Sequence, residues 1–481
     1  MSSHVDPRTE ARFERMRPLG AGSTPRVSGD QLPPGPRWPG LLQSIGLLRF
    51  RHQFIPWLHR RYGDVFSIRI LPEGRWLVVF HRPEHVREIF AGDPSVFHAG
   101  KGNAILGPVM GEHSLLLVDG SKHKRARRLL MPAFNGHALR GYEAMVTGLA
   151  KTELGSWSGG APFGSLERMN ALTLEIILQV VFGVTEEARL AELRPLVDNT
   201  VNVSPVVFLG WGFPRLQGLG PWRKAFLNQA ALDQVIYAEI AERRRAADLA
   251  DRTDVLSQLL RVRDSAADGG TDGPDDGADD GPDDGGADIG LTDEELRDQL
   301  VTLLLAGHET TATALAWTLH ELGRHPAEQA KARAAAETGD DAHLEAVLKE
   351  SLRLHPVIPM VVRHLMAPAT VGGIDLPAGT NVAASIILAH ADEAEHREHQ
   401  RFRPERFLEG AVATNTWIPF GGGVRRCIGA GFSLMEGVAV LREVLTSWDV
   451  ALPEGAPPEQ PKVRNITSVP KRGAQVVVTP R

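Results

Sequence analysis

Two spacings of apolar positions run along the chain. Phe66-Ser67-Ile68-Arg69-Ile70 and Trp76-Leu77-Val78-Val79-Phe80 read as strands around a turn at Pro72-Glu73-Gly74. From about residue 84 helical spacing dominates. Val371–Ala384 returns to short strand-like pieces, with turns at Gly372-Gly373 and Pro377-Ala378-Gly379. The pattern predicts a mainly α fold with a small β region, and no fixed repeat is present. The clearest helix begins at Thr292, where Thr292-Asp293-Glu294-Glu295 has the form of a capping box. It runs to His325, and Pro326 stops it. At 1.5 Å per residue that is roughly 50 Å, enough to cross a whole domain. Ala306-Gly307 and Thr310-Thr311 fall at its middle, where Gly and β-branched residues weaken a helix. Weak residues at that position point to packing or function. Leu344, Val347, Leu348 and Leu352 form the apolar stripe of another helix. Leu41–Leu48 reads as a buried helix, with a peripheral lipid contact as the alternative.

Composition narrows this picture. Hydrophobic residues make up 42% of the 481, enough for a large core, and 33 prolines and 49 glycines imply many turns. One cysteine excludes an intramolecular disulfide and any multi-cysteine zinc or iron–sulfur site. Residues 1–30 lack the apolar core of a signal peptide and read as a flexible tail. No apolar run approaches the roughly 20 residues of a membrane span. The expected protein is soluble and cytoplasmic, without a transmembrane anchor and without a nucleic-acid partner. Residues 264–288 hold 10 Asp, 7 Gly and no Lys or Arg, and read as a disordered acidic insert. Removing its ten charges turns the chain's −6 into +4.

Several segments carry chemistry. In Phe420-Gly421-Gly422-Gly423-Val424-Arg425-Arg426-Cys427-Ile428-Gly429, three glycines make a tight turn and Cys427 stands beside two arginines. Positive charge and backbone donors favour a thiolate there. A lone cysteine is ordinarily a small buried hydrophobe, so its flanks decide the reading. A phosphate loop is a poor rival, because no Gly-Lys-Ser/Thr follows. His308-Glu309-Thr310-Thr311 begins like a zinc protease motif, but Ala312 stands where the second histidine is required. A buried acid beside a hydroxyl suits proton transfer, whereas a surface Glu beside two Thr would be inert. Glu350 and Arg353 have the spacing of an exposed helical ion pair. His123 and Arg127, four apart, share one helix face within a basic cluster. His390, His396 and His399 beside Asp392 and Glu395 fit a hydrated loop better than a metal site.

Phe420, Gly423, Arg425, Cys427 and Gly429 match every fixed position of Phe-x-x-Gly-x-Arg-x-Cys-x-Gly, and the segment resembles the cysteine loop of the cytochromes P-450. Ala306-Gly307-His308-Glu309-Thr310-Thr311 is similar to the central-helix sequence of that family. Glu350-Ser351-Leu352-Arg353 with Pro404-Glu405-Arg406-Phe407 is similar to its structural Glu-x-x-Arg and Arg set. The resemblance spans roughly residues 31–481. It implies the cytochrome P-450 fold, with heme b (iron protoporphyrin IX) between the long central helix and the cysteine loop. Cys427 would be the thiolate ligand of iron, pushing electron density toward it to favour O–O cleavage. Phe420 would shield the sulfur, and Gly421 would join it in contact with the cofactor. His123, Arg127, Arg363 and Arg425 would meet the heme propionates. Gly307 would leave room for dioxygen, with Glu309 and Thr310 relaying protons toward it. Glu350, Arg353 and Arg406 would hold the cysteine loop in place.

The implied activity is a monooxygenase that inserts one atom of O2 into an organic substrate, usually as hydroxylation. No nucleotide fingerprint or flavin domain follows Cys427, after which 54 residues remain. Electrons are therefore expected from a ferredoxin and its NAD(P)H-dependent reductase. Lys122, Lys124, Arg125 and Arg128 form a basic patch suited to steering an acidic ferredoxin. By the same resemblance Val201–Pro214 falls where the family's substrate-access helices lie, and Val206, Val207, Phe208, Leu209, Trp211 and Phe213 there suggest an apolar substrate such as a terpenoid, steroid or fatty acid. Two rival functions are a hydrogen-peroxide-driven peroxygenase, disfavoured by the Glu309-Thr310 pair, and a heme- or lipid-binding protein without turnover.

Overall fold

Thr292 opens the longest helix as its capping box predicts. Its side chain accepts from the Glu295 amide (3.1 Å), and the Glu295 carboxylate accepts from the Thr292 amide (2.9 Å). The helix covers Asp293–Arg324, and Pro326 starts the next one, Pro326–Thr338. A computed structural model describes residues 6–15, 27–71, 75–184, 186–201, 219–261, 290–410 and 412–481. The acidic insert 264–288, the apolar stretch from Val206 to Phe213 and the Pro72-Glu73-Gly74 turn lie outside them.

The long helix runs through the main core. Helices Ser165–Phe182, Asp341–Leu354 and Ala430–Ser447 pack on it, and Gly136–Gly155 lies against Ser165–Phe182 and Ala430–Ser447. Apolar residues nearly all round the Ser165–Phe182 helix are buried, as a fully enclosed helix requires. A Cβ built on Gly307 would come 2.7 Å from Ile177 Cδ1. The small residue is therefore required by the close approach of these two helices. Its neighbour Ala306 is exposed.

The β region is a five-stranded sheet in the order Phe66–Ile70, Arg75–Phe80, Asn381–Ser385, Met360–Leu365, Phe97–His98. All neighbours are antiparallel except Arg75–Phe80 with Asn381–Ser385. Both faces are covered. Val78 and Phe80 pack against Val86, Ile89 and Phe90, while Leu77 and Val79 pack against Phe54, Ile55 and Leu58. Period-two alternation along one strand thus serves two clusters. The Gly372-Gly373 turn joins Ala369–Val371 to Ile374–Leu376, with both glycines at positive φ (58° and 72°) as a tight hairpin requires. Further strands pair as Pro461–Arg464 with Thr467–Pro470, and as Phe163–Gly164, Gln475–Pro480 and Trp448–Ala451.

Two expectations change. Part of the tail expected to be flexible is a helix, Pro7–Arg15, docked by buried polar contacts. Thr9 donates to Asp233 (2.8 Å), and Arg12 pairs with Asp233 (3.0 Å). Asp233 also meets Arg297, which meets Asp298 (2.8 Å). The anchor is a charge cluster, invisible to a search for apolar spacing. The second change concerns Leu41–Leu48: it is helical, but Leu41, Leu42, Ile45 and Leu48 face outward. Among the described residues no single helix is long and apolar enough to cross a membrane.

Candidate functional site

The cysteine loop owes its shape to glycines and to Phe90. Gly421 and Gly423 have φ of 64° and 63°, and a Cβ on Gly423 would lie 2.0 Å from the Phe90 carbonyl oxygen. The loop closes on itself where the Cys427 amide donates to the Phe420 carbonyl (2.9 Å). Arg127 clamps it from the helix Gly120–Leu130 by donating to the Arg426 carbonyl (2.8 Å). Cys427 has protein on nearly every side, yet its surface is open to a water-sized sphere. Burial pushes its thiol upward in pKa, against the Gly429 amide and the charges of Arg127 and Arg426.

The long helix opens at its centre. It is buried over most of its length, but Ala306 is exposed and Gly307 and Thr310 are half-buried. Ala306 and Thr310 are one turn apart on one face. The Thr310 hydroxyl donates to the Ala306 carbonyl (2.6 Å). One residue on, Thr311 Oγ1 meets Ser433 Oγ at 3.1 Å, tying this turn to the helix that follows the cysteine loop.

Glu309 turns away from Thr310. It is 5% exposed and pairs with Arg464 on the hairpin Pro461–Arg464/Thr467–Pro470 (3.1 Å). Burial raises its pKa to about 7, with Arg464 and Thr467 pulling the other way. Acid and alcohol are thus adjacent in sequence without a hydrogen bond between them.

Basic side chains gather at the other end of the site. His123 and Arg363 are buried, Arg425 and Arg127 half-buried. Arg425 pairs with Asp119 and donates to the carbonyls of Val118 (2.6 Å) and Leu115 (3.3 Å). Among the described residues the hydrogen bond of the Arg363 guanidinium goes to the Val362 carbonyl (3.0 Å). Burial lowers the Arg363 pKa to about 10, and Arg425 adds to the shift. Burial, then Arg425 and Arg127, lower that of His123 to about 4. Three guanidiniums with one carboxylate among them form a site short of anions. The two carboxylates of a porphyrin fit that deficit. His123, Arg127, Arg363, Arg425, Phe420, Gly421 and Cys427 are the residues that can hold it.

Behind the cysteine loop lies a buried charge network. Glu350 (0% exposed) takes a two-pronged contact from Arg353 (both 2.8 Å) and contacts from Arg406 Nε (3.2 and 3.3 Å) and the Arg403 amide (3.0 Å). Arg353 continues to the carbonyls of His390 (3.0 Å) and Arg401 (3.2 Å). His390 Nε2 in turn accepts from the Ile418 amide (2.9 Å), at the entrance to the cysteine loop. The exposed-pair alternative for Glu350 and Arg353 does not hold. His390, His396 and His399 do not converge: His396 meets the Thr416 carbonyl and His399 pairs with Glu393.

Sequence reasoning missed three groups. Asp119 anchors Arg425, Arg464 faces Glu309, and fully buried Glu436 lies beside Thr311 with its pKa raised by burial to about 8. Each partner is distant in sequence, so no local motif marked it. One expectation is corrected: Arg125 is not part of an open basic patch, because it pairs with Glu295 at the start of the long helix (2.8 Å). Lys122, Lys124 and Arg128 remain exposed.

The cytochrome P450 family profile matches residues 33–478. A relative named cytochrome P450 135A1, from Mycobacterium tuberculosis, is 51% identical over 450 residues, covering 94% of this chain and 96% of its own. Another, cytochrome P450 135B1 from Mycobacterium bovis, is 39% identical over 453 residues, covering 93% and 91%. Among solved structures, a retinoic-acid-bound cyanobacterial CYP120A1 superposes with a TM-score of 0.79 at 22% identity, covering 94% of this chain and 99% of that one. The cytochrome P450DA heme domain gives 0.78 at 23%, covering 94% and 98%. The chain belongs to the cytochrome P450 family, a class of heme-thiolate oxygenases. It is accordingly a monooxygenase that binds heme b.

Proposed function

We propose that the chain hydroxylates an apolar organic molecule of the terpenoid, steroid or fatty-acid kind, with Cys427 as the iron ligand. Substrate, O2, two electrons and two protons would give the hydroxylated product and water. The observation that carries this reading is Cys427, open to a small sphere though largely surrounded by protein, together with the partly exposed turn Ala306–Thr310 at the centre of a buried helix. Heme iron, when bound, supplies reductive activation of dioxygen and transfer of one oxygen atom. The chain supplies the rest. Arg127, Arg363, Arg425 and His123 hold the propionates. Phe420 and Gly421 shield the sulfur side. Thr310 supplies a hydroxyl at the open turn, and Glu309, poised near neutral pH, exchanges protons between that region and the surface at Arg464. Electrons come from a ferredoxin and an NAD(P)H-dependent reductase in the cytoplasm. The apolar character of Val206–Phe213 supports the substrate class.

The test is spectroscopic. Reduced wild-type protein with carbon monoxide should show the red-shifted Soret band of thiolate ligation, and Cys427→Ser should lose it. An unchanged band in Cys427→Ser would overturn the ligand. Low-spin to high-spin shifts on adding terpenoids, steroids or fatty acids identify the substrate class, and shifts only with polar compounds would reject it.

A further inference from the structure

The helix Gly40–Arg49 is inside out for an element facing water. Its buried side chains are polar, Gln43 (1% exposed) and Ser44 (6%). Its exposed side chains are Leu41 (56%), Leu42 (53%), Ile45 (43%) and Leu48 (37%), with Trp38 (46%) before it and Phe50 (54%) after it. Leu41, Ile45 and Leu48 follow helical spacing, so they share one face. Half of the large exposed apolar side chains among the described residues lie on this stretch, so it is a patch and not a scatter of single residues.

Hydrogen bonds fix this orientation. The Gln43 amide donates to the carbonyls of Pro36 (3.0 Å) and Trp38 (2.7 Å) and accepts from the Arg69 amide (2.8 Å). Ser44 Oγ accepts from the Leu71 amide (2.9 Å). Turning the leucines inward would break four bonds and strand the donors beneath. Arg51, just beyond the helix, donates to the carbonyls of Asn465 (2.9 Å) and Ile466 (3.1 Å), which brings the exposed Ile466 to the same edge.

The chain segment that carries the patch holds charge of one sign. No Asp or Glu occurs between Asp30 and Asp64, while Arg37, Arg49, Arg51, Arg60 and Arg61 do. Arg37, Arg49, Arg60 and Arg61 are exposed, and none pairs with a carboxylate among the described residues. A second copy of this chain, packed face to face, would oppose arginine to arginine. A surface with apolar depth and negative phosphates satisfies both the leucines and the arginines.

We infer that helix Gly40–Arg49 is an interfacial anchor for an anionic lipid bilayer. Trp38, Leu41, Leu42, Ile45, Leu48 and Phe50 enter the headgroup–acyl boundary, and the flanking arginines meet lipid phosphates. Tryptophan beside the leucines suits that depth, where one end of the ring is dry and the other wet. The inference is independent of the oxygenation reading, since binding needs no turnover.

Flotation of the full-length holoprotein with vesicles tests it. Equal parts phosphatidylglycerol and phosphatidylcholine should carry the protein up, pure phosphatidylcholine should do so less, and salt should weaken the first. Leu41→Ser with Leu42→Ser and Ile45→Ser should lower the partition coefficient at least about tenfold. Heme content and thermal midpoint should stay unchanged, since the three side chains are exposed. Arg37→Gln with Arg49→Gln should remove the preference for phosphatidylglycerol. The inference is overturned if the wild type ignores anionic vesicles at low ionic strength, or if the triple variant floats like the wild type. It is equally overturned if sedimentation shows a dimer, or capture of an acidic protein, that the triple substitution abolishes while no form binds vesicles.

Discussion

Glu309 illustrates how much one side chain takes from its surroundings. Its pKa of about 7 stands above the ordinary 4.5 because burial outweighs Arg464. Between those values the folded protein holds a proton that the unfolded chain has lost. Stability therefore falls as pH rises through that window, by about 3 kcal/mol at most. Thermal midpoints of wild type and Glu309→Gln should agree near pH 4, below both values, and the variant should lead at pH 8. A parallel pH dependence in both would remove Glu309 as the titrating group. In turnover, product formed per reductant consumed by the wild type should change near pH 7, and Glu309→Gln should flatten that change. Thr310→Ala should keep its heme while product formation drops by about a hundredfold and reductant use continues. Tight coupling in both variants would take the pair out of proton delivery. The residue types here were legible in the sequence, but the partners were not. Thr310 bonds its own helix and Glu309 a distant hairpin, and no local spacing encodes either contact.

At the scale of elements, the Glu350 network behaves as one joint between the helix Asp341–Leu354, the segment around Arg406 and the entrance to the cysteine loop. Glu350→Ala leaves two buried arginines facing each other, at a cost of about 3–5 kcal/mol. The expected product is heme-poor or insoluble protein, and a heme-replete, normally stable variant would contradict the joint. A second prediction concerns Gly307. Gly307→Ala places a methyl against Ile177, which is 2% exposed and has little room to turn, so a loss of about 1–3 kcal/mol is expected. Ile177→Val removes the opposing Cδ1 and alone costs about 0.5–1.5 kcal/mol. The double variant should be more stable than the sum of the two predicts, and strict additivity in urea unfolding would show that they do not touch. The long helix itself was readable from its capping box and from Pro326, because both are local chemistry. The orientation of Gly40–Arg49 was not, because apolar spacing says which residues share a face and not which way that face points. There the bonds of Gln43 and Ser44 decide.

For the whole molecule, the proposed ferredoxin donor would be steered by the distribution of surface charge. Lys122 and Lys124 are exposed on the helix that carries His123 and Arg127 toward the site, whereas Arg125 is committed to Glu295. Lys122→Glu with Lys124→Glu should slow reduction by an acidic ferredoxin several-fold at low salt without altering substrate-induced spectral shifts. The difference should shrink as salt rises, since exposed charges are screened beyond about 10 Å at 0.1 M. Equal rates at low ionic strength would place the docking face elsewhere.

The docked helix Pro7–Arg15 sets a timetable for the newborn chain. Asp233 is made more than two hundred residues after it, and Arg297 and Asp298 on the long helix later still. At about 5–20 residues per second the interval is on the order of ten seconds or more. Throughout that wait the segment has nothing to hold. A bulky fusion at the N-terminus should matter little during synthesis and a good deal at its close, when Arg12 must be inserted beside Asp233.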